Sequence, residues 1–299
     1  MRTRWIVFAA LVAVAAGGRP TLAEETGWEA VGTILRVAGT LQKDGSYRVN
    51  LPRKDPPLRN EFGFLVPPSM GLVTYAAFAG SPADATVVGD TCTLAAEINP
   101  VVDALRAGKI EVVAIHNHML GGEPSFVFLH FQGKGDAVAM AKTLRAAWDE
   151  MGKPHPLPER PKASPPKPDW KAVSEILGQP GVLSDDGVYK VTLPRPSIGT
   201  SLDGRTLPAS TGIACWVAFS PCECGLTMAM GDTCLRREEI QDAIDGYRRG
   251  GIRVTGLHNH MSGTVPELMF LHFAGEGDAA ELARTVRAVW DRLAPAKPQ

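Results

Sequence analysis

Apolar and polar positions along the chain follow two periods, one helical and one of a strand, and their order of use occurs twice. In the first pass, Trp28–Val37 reads as a short amphipathic helix, and an alternating strand then ends in Leu51-Pro52-Arg53. Two apolar runs, Gly71–Phe78 and Ala85–Gly89, precede a helical stretch, Ala95–Ala107. Strand patterns follow at Val112–Met119 and Phe126–Phe131, then a helix opened by Asp136 as N-cap and running to Trp148. The second pass repeats this as Trp170–Leu177, a strand to Leu193-Pro194-Arg195, Ile213–Phe219, Leu226–Met230, Glu238–Arg249, Val254–Met261, Leu268–Phe273 and a helix from Asp278 to Trp290. Gly108 and Gly250 stand where a helix end favours a residue that tolerates positive φ. A β-α-β-β-α core implies an α+β fold, two tandem repeats each with a mostly antiparallel sheet and helices packed on one face.

The repetition is a duplication. A shift of 142 lays Val112–Asp149 on Val254–Asp291 without a gap, with 21 identities in 38 positions. Two copies are too few for a solenoid, so a pair of domains is expected: 24–151 and 169–295, joined by 152–168, where seven prolines make an extended spacer. The first 23 residues read as an export signal: Arg2 and Arg4, an apolar stretch Trp5–Ala16, and small residues ending at Ala23. That stretch is shorter than the roughly 20 residues a membrane span needs, and no lipidation cysteine follows it, so a periplasmic or secreted chain is expected. Removing Arg2, Arg4 and Arg19 leaves 28 basic against 32 acidic residues, a net charge of −4. A nucleic-acid partner is disfavoured, because phosphate binding needs a Lys/Arg surplus.

The chemistry concentrates in histidine. Of seven histidines, six form two equivalent triplets, His116, His118, His130 and His258, His260, His272; His155 lies in the spacer. Alternate residues of a strand share a face, so His116 and His118 are neighbours, and a turn centred near Glu123 sets His130 directly across from His116. Three imidazoles on one face suit a divalent transition metal, Zn or Cu first. Histidines in strands also serve as metal-free polar groups or as structural hydrogen-bond partners. Asp90, Asp232 and, in the first copy alone, Glu123 are candidates for a fourth ligand or general base. Glu97 and Glu239 recur too, where a helix dipole also explains them. Asn117 and Asn259 either orient outer groups or close the turn, and Met119 and Met261 are soft ligands or core filler.

Five cysteines in an exported chain suggest local staples, with Cys222 or Cys224 bridging to Cys215, or else redox-active thiols. Cys92 and Cys234 are thiolate ligands or small buried residues. The run His-Asn-His-Met, then Phe-Leu-His-Phe and Gly-x-Gly-Asp-Ala, with the upstream Pro-Arg and Gly-Asp pairs, resembles the LppY/LpqO-type exported protein family. The resemblance spans most of residues 25–295 and implies a duplicated, exported chain with no established activity. Three functions stay open: a metal-binding protein, a metal-dependent hydrolase acting on an envelope component or small ligand, and a non-catalytic interaction module with structural histidines.

Overall fold

The computed structural model describes residues 22–59, 65–118, 122–155, 163–185 and 187–293. The export segment up to residue 21, Met119 and the middle of the proline spacer lie outside the described residues. The first repeat runs α1 (Leu22–Leu35), β1 (Thr40–Leu41), β2 (Tyr47–Pro52), β3 (Val73–Ser81), β4 (Asp84–Leu94), α2 (Ile98–Ala107), β5 (Glu111–His116), β6 (Phe126–Gly135) and α3 (Ala137–Trp148). The second runs α4 (Trp170–Leu177), β7 (Gly181–Leu183), β8 (Tyr189–Pro194), β9 (Ser201–Leu202), β10 (Arg205–Thr206), β11 (Ala214–Pro221), β12 (Thr227–Arg236), α5 (Ile240–Arg249), β13 (Arg253–His258), β14 (Thr264–Val265), β15 (Leu268–Gly277) and α6 (Ala279–Trp290). The fold is α+β, as the patterning implies.

Each element follows from its sequence. In α2 the buried residues Ile98, Val101, Val102 and Leu105 recur at helical spacing and face the sheet. Asp136 caps α3 by accepting from Ala139 N at 2.7 Å, and Asp278 caps α6 by accepting from Ala280 N at 2.9 Å and Glu281 N at 3.1 Å. Trp28 stacks on Tyr47 at 5.2 Å and Trp170 on Tyr189 at 4.8 Å, pinning α1 and α4 to the sheet. The glycines after α2 and α5 have a different reason from the expected one. Gly108 and Gly250 have φ of −92° and −84°, and a Cβ on either would overlap Thr143 or Thr285 of the final helix. The left-handed residue is the next one, Lys109 at φ 60° and Gly251 at φ 74°.

The two repeats share one sheet. Its twelve strands run β1-β2-β3-β4-β6-β5-β13-β15-β12-β11-β8-β7, antiparallel throughout. The junction is narrow, since β5 and β13 pair at Ile115 and Leu257 and then splay. Carboxamides take over where the strands part. Gln241 accepts from Val112 N at 3.1 Å and donates to Val112 O at 2.8 Å, and Asn99 does the same for Val254 at 2.9 and 3.3 Å. Two-pronged ion pairs, Arg106 with Asp245 and Arg248 with Asp103, join α2 and α5 across the same pseudo-twofold axis. One hydrophobic core therefore runs under both repeats on the helix side. Among the described residues, no helix is long and apolar enough to cross a membrane.

Candidate functional site

The two faces of the sheet differ in chemistry. Leu129 and Phe131 of β6 join the helix-side core, whereas Phe126 and Phe128 pack with Cys92, Leu58 and Leu72 on the opposite face. His130 alternates with Leu129 and Phe131 and so shares the second face. Along that face, Asp90 pairs with His130 on one side and Tyr75 on the other, and Asp232 pairs with His272 and Trp216.

The hairpin register corrects one expectation. His116 lies opposite Phe128, and Ala114 opposite His130; in the second repeat His258 faces Phe270 and Gly256 faces His272. The connecting loop is centred one residue earlier than expected, which slides each partner by two. The imidazoles still meet, diagonally across the strands. Ring centroids of His116 and His130 are 4.9 Å apart, as are those of His258 and His272. His118 and His260 each lie flat on a phenyl ring, Phe128 at 3.3 Å and Phe270 at 3.6 Å, which fixes their planes.

Hydrogen bonds set the ring nitrogens. His116 Nδ1 faces Asn117 O at 3.3 Å and His258 Nδ1 faces Asn259 O at 3.1 Å. A carbonyl can only accept, so these contacts favour the tautomer with the hydrogen on Nδ1, which turns Nε2 toward the site. His258 Nε2 and His272 Nε2 are 2.9 Å apart. Donor atoms of His258, His260 and His272 all lie within 4.8 Å of one another, the one such group among the described residues. The carboxylates stand beside the imidazoles, and Asp232 is not part of that gathered group. Asp232 oxygens lie 3.7 Å from His260 Nε2 and 3.9 Å from His272 Nδ1, and Asp90 oxygens 4.0 Å from His118 Nε2 and 3.9 Å from His130 Nδ1.

Burial makes these aspartates costly. Their side chains are 7% and 5% exposed, and the buried Oδ1 of each accepts no hydrogen bond. Burial raises the Asp90 carboxyl above the usual range and pushes Asp232 up to about 6. Burial also lowers His118, His260 and His272, keeping their imidazoles neutral at neutral pH.

Other candidates fall away from the site. Glu123 is exposed, and its backbone pairs with that of Arg59 at 2.8 and 3.0 Å, so it is a loop residue and no base for the histidines. Glu97 and Glu239 are held by guanidinium forks, Arg53 at 2.8 and 2.9 Å and Arg195 at 2.8 Å twice. These buried pairs, with carboxyls held low by the arginines against burial, anchor the Pro-Arg motif to the start of the next helix. The equal spacing of Arg53 to Glu97 and Arg195 to Glu239 was the signal that would have revealed them. Asn117 and Asn259 close the turn by donating to Phe126 O and Leu268 O. Met261 packs against the core. His155 faces Glu150 O at 3.0 Å, away from both triplets. Cys92, Cys215 and Cys234 are buried free thiols, so the expected bridge to Cys215 is not formed. Burial pushes the Cys92 and Cys234 thiols up to about 12, which leaves them protonated core residues and not ligands.

Where β5 and β13 splay, a cleft of about 750 Å³ opens, with His116 and His258 both in its wall. Glu111, Arg237, Glu238 and Glu267 supply its charge.

A family model described as Domain of Unknown Function (DUF1259) matches residues 29–150 and again residues 171–292. The chain belongs to that family. No curated protein matches it. Among solved structures, the trimeric bacterial microcompartment shell protein PduB is 11% identical over 85% of this chain and 90% of its own, with a TM-score of 0.23. EtuB from Clostridium kluyveri is 9% identical over 91% of each chain, also at a TM-score of 0.23. Likeness at that level carries no argument about what this chain does.

Proposed function

We propose that each repeat forms a transition-metal site of three imidazoles and one carboxylate. The sets are His116, His118 and His130 with Asp90, and His258, His260 and His272 with Asp232. The observation that carries this reading is the gathering of ring nitrogens of His258, His260 and His272 within 4.8 Å of one another, with a buried aspartate oxygen that accepts no hydrogen bond beside each triplet. A divalent cation supplies the missing partner. Ligand atoms around tetrahedral zinc stand about 3.3 Å apart, from Zn–N bonds of about 2.0–2.1 Å, so the second triplet closes on an ion by small ring rotations. Neutral imidazole with carboxylate suits Zn²⁺ or Cu²⁺. We assign the protein to the periplasm or exterior on the strength of Arg2, Arg4 and the apolar stretch Trp5–Ala16, and to the LppY/LpqO type on its His-Asn-His-Met and Phe-Leu-His-Phe runs.

Elemental analysis of the untagged mature protein tests the reading. Near two equivalents of one metal are expected, one lost on replacing His116 and His118 by alanine and the other on replacing His258 and His260. No metal, together with a melting temperature that micromolar Zn²⁺ or Cu²⁺ leaves unmoved, overturns it. The cleft reaching His116 and His258 favours a second reading, a metal-dependent hydrolase of an envelope component in which an aspartate accepts a proton from activated water. Its mark is turnover that the same alanine variants abolish while still folding.

A further inference from the structure

The row of the sheet that carries the aspartates continues outward into a cation seated on an aromatic ring, once in each repeat. Tyr75 is the direct cross-strand partner of Asp90, and Trp216 of Asp232. The Arg48 guanidinium lies over Tyr75, 4.0 Å from the ring centroid, and the Lys190 ammonium over Trp216 at 4.3 Å. Arg48 Nε donates to Asn50 Oδ1 at 3.0 Å, which holds the guanidinium in place. Both cations lie on the histidine face, because Arg48 pairs with Ala77 and Ala77 with Val88, two residues along from Asp90; Lys190 reaches Met230 through Ala218 in the same way. The residues differ, Arg with Tyr in one repeat and Lys with Trp in the other, so what recurs is charge on ring. Among the described residues neither cation has a carboxylate partner. Across the whole face the order is cation, aromatic ring, carboxylate, imidazoles, and then the mirror order through the second repeat.

We propose that each row is a recognition face for a small organic dianion, with one oxyanion at the metal and the second on Arg48 or Lys190. The proposal rests on the metal reading, because without the ion Asp90 and Asp232 repel an anion. Adjacent strands stand about 4.8 Å apart, so the backbones carrying cation and carboxylate are on the order of 10 Å apart, and the cation, drawn over the ring of the strand between, lies within the reach of an extended dicarboxylate. The ring between them offers an apolar edge for the connecting carbons. Cation and ring alone make a weak pair; beside a divalent ion they complete a two-point receptor for negative charge.

The experiment is a calorimetric titration of the full zinc-loaded chain with acetate, succinate, adipate and suberate, with zinc content measured on the same samples. A dicarboxylate of sufficient length is expected to bind roughly tenfold tighter than acetate. In the Arg48→Gln, Lys190→Gln double variant that gap closes while zinc content stays unchanged. Zinc bound with no gap in the wild type, or a gap that survives in the double variant, overturns this proposal alone. Absence of zinc from the wild type overturns the metal reading and this proposal with it.

Discussion

The two repeats space the first imidazole from the other two alike and gather their donor atoms differently. Centroids of the first and second histidines are 5.1 Å apart in both, and of the first and third 4.9 Å in both. Yet His258, His260 and His272 alone bring their donor atoms within 4.8 Å of one another. Strand register fixes where a ring sits, and the rotation about its last torsion decides which nitrogen faces which. That rotation is soft for histidine. The frame beneath shows a similar contrast, since Arg236 adds a second guanidinium to Glu239 at 3.3 Å, at the position Leu94 holds in the first repeat. Duplication has preserved the scaffold and varied what surrounds each site.

The largest expected difference lies in that frame. Arg53→Met strands Glu97 as a buried charge and should cost about 3–5 kcal/mol. Arg195→Met should cost less, because Arg236 still faces Glu239. Urea unfolding of the two variants decides it, and equal losses would show that Arg236 contributes nothing. Next is metal affinity. The gathered second site should fill first in a zinc titration, so replacing His258 and His260 by alanine removes the tighter phase and replacing His116 and His118 the weaker one. Simultaneous filling would mean that ring rotation costs nothing.

Charge burial gives a third contrast between chemistry and stability. The raised Asp232 carboxyl means that the metal-free native chain holds a proton the unfolded chain has already lost. Stability should therefore fall as pH rises from the ordinary carboxylate range through about 6. Asp232→Asn should flatten that slope and stabilise the metal-free protein at neutral pH by about 2 kcal/mol, while weakening metal binding. Melting temperature against pH for both proteins is the check; a destabilised variant would mean that the aspartate is a structural partner. The smallest effect sits at the helix ends. Lys109 holds the left-handed conformation that Gly251 holds in the other repeat, so Lys109→Gly should stabilise by about 1 kcal/mol and Gly251→Lys should lose about as much. Thermal unfolding that moves in the opposite directions would break the comparison.

Much of this was legible along the chain. Periods of apolar residues named β2 to β6, the helices between them and their copies, because each side chain answers to neighbours one turn or one pleat away. Duplication marked the six histidines, and strand alternation put them on one face. Asp136 and Asp278 were readable as caps, since a cap bonds within its own first turn. Other features depended on partners far off in sequence. The one-residue shift in the hairpin centre, which pairs Ala114 with His130, follows a break in register between Val112 and Ala114 that the apolar alternation does not mark. Gly108 is glycine because Thr143 of another helix fills the space of its Cβ, which no local pattern records. Cys215 stays a thiol in the core, where spacing suggested a bridge. The meeting of Ile115 with Leu257 turns two sheets into one, and the pairings of Tyr75 and Trp216 with the aspartates extend the histidine face toward a cation in each repeat. Local periodicity determines elements and faces, because it depends on contacts every strand or helix makes with itself; register, junction and the full composition of the site come from packing between elements and exist only once the chain has folded.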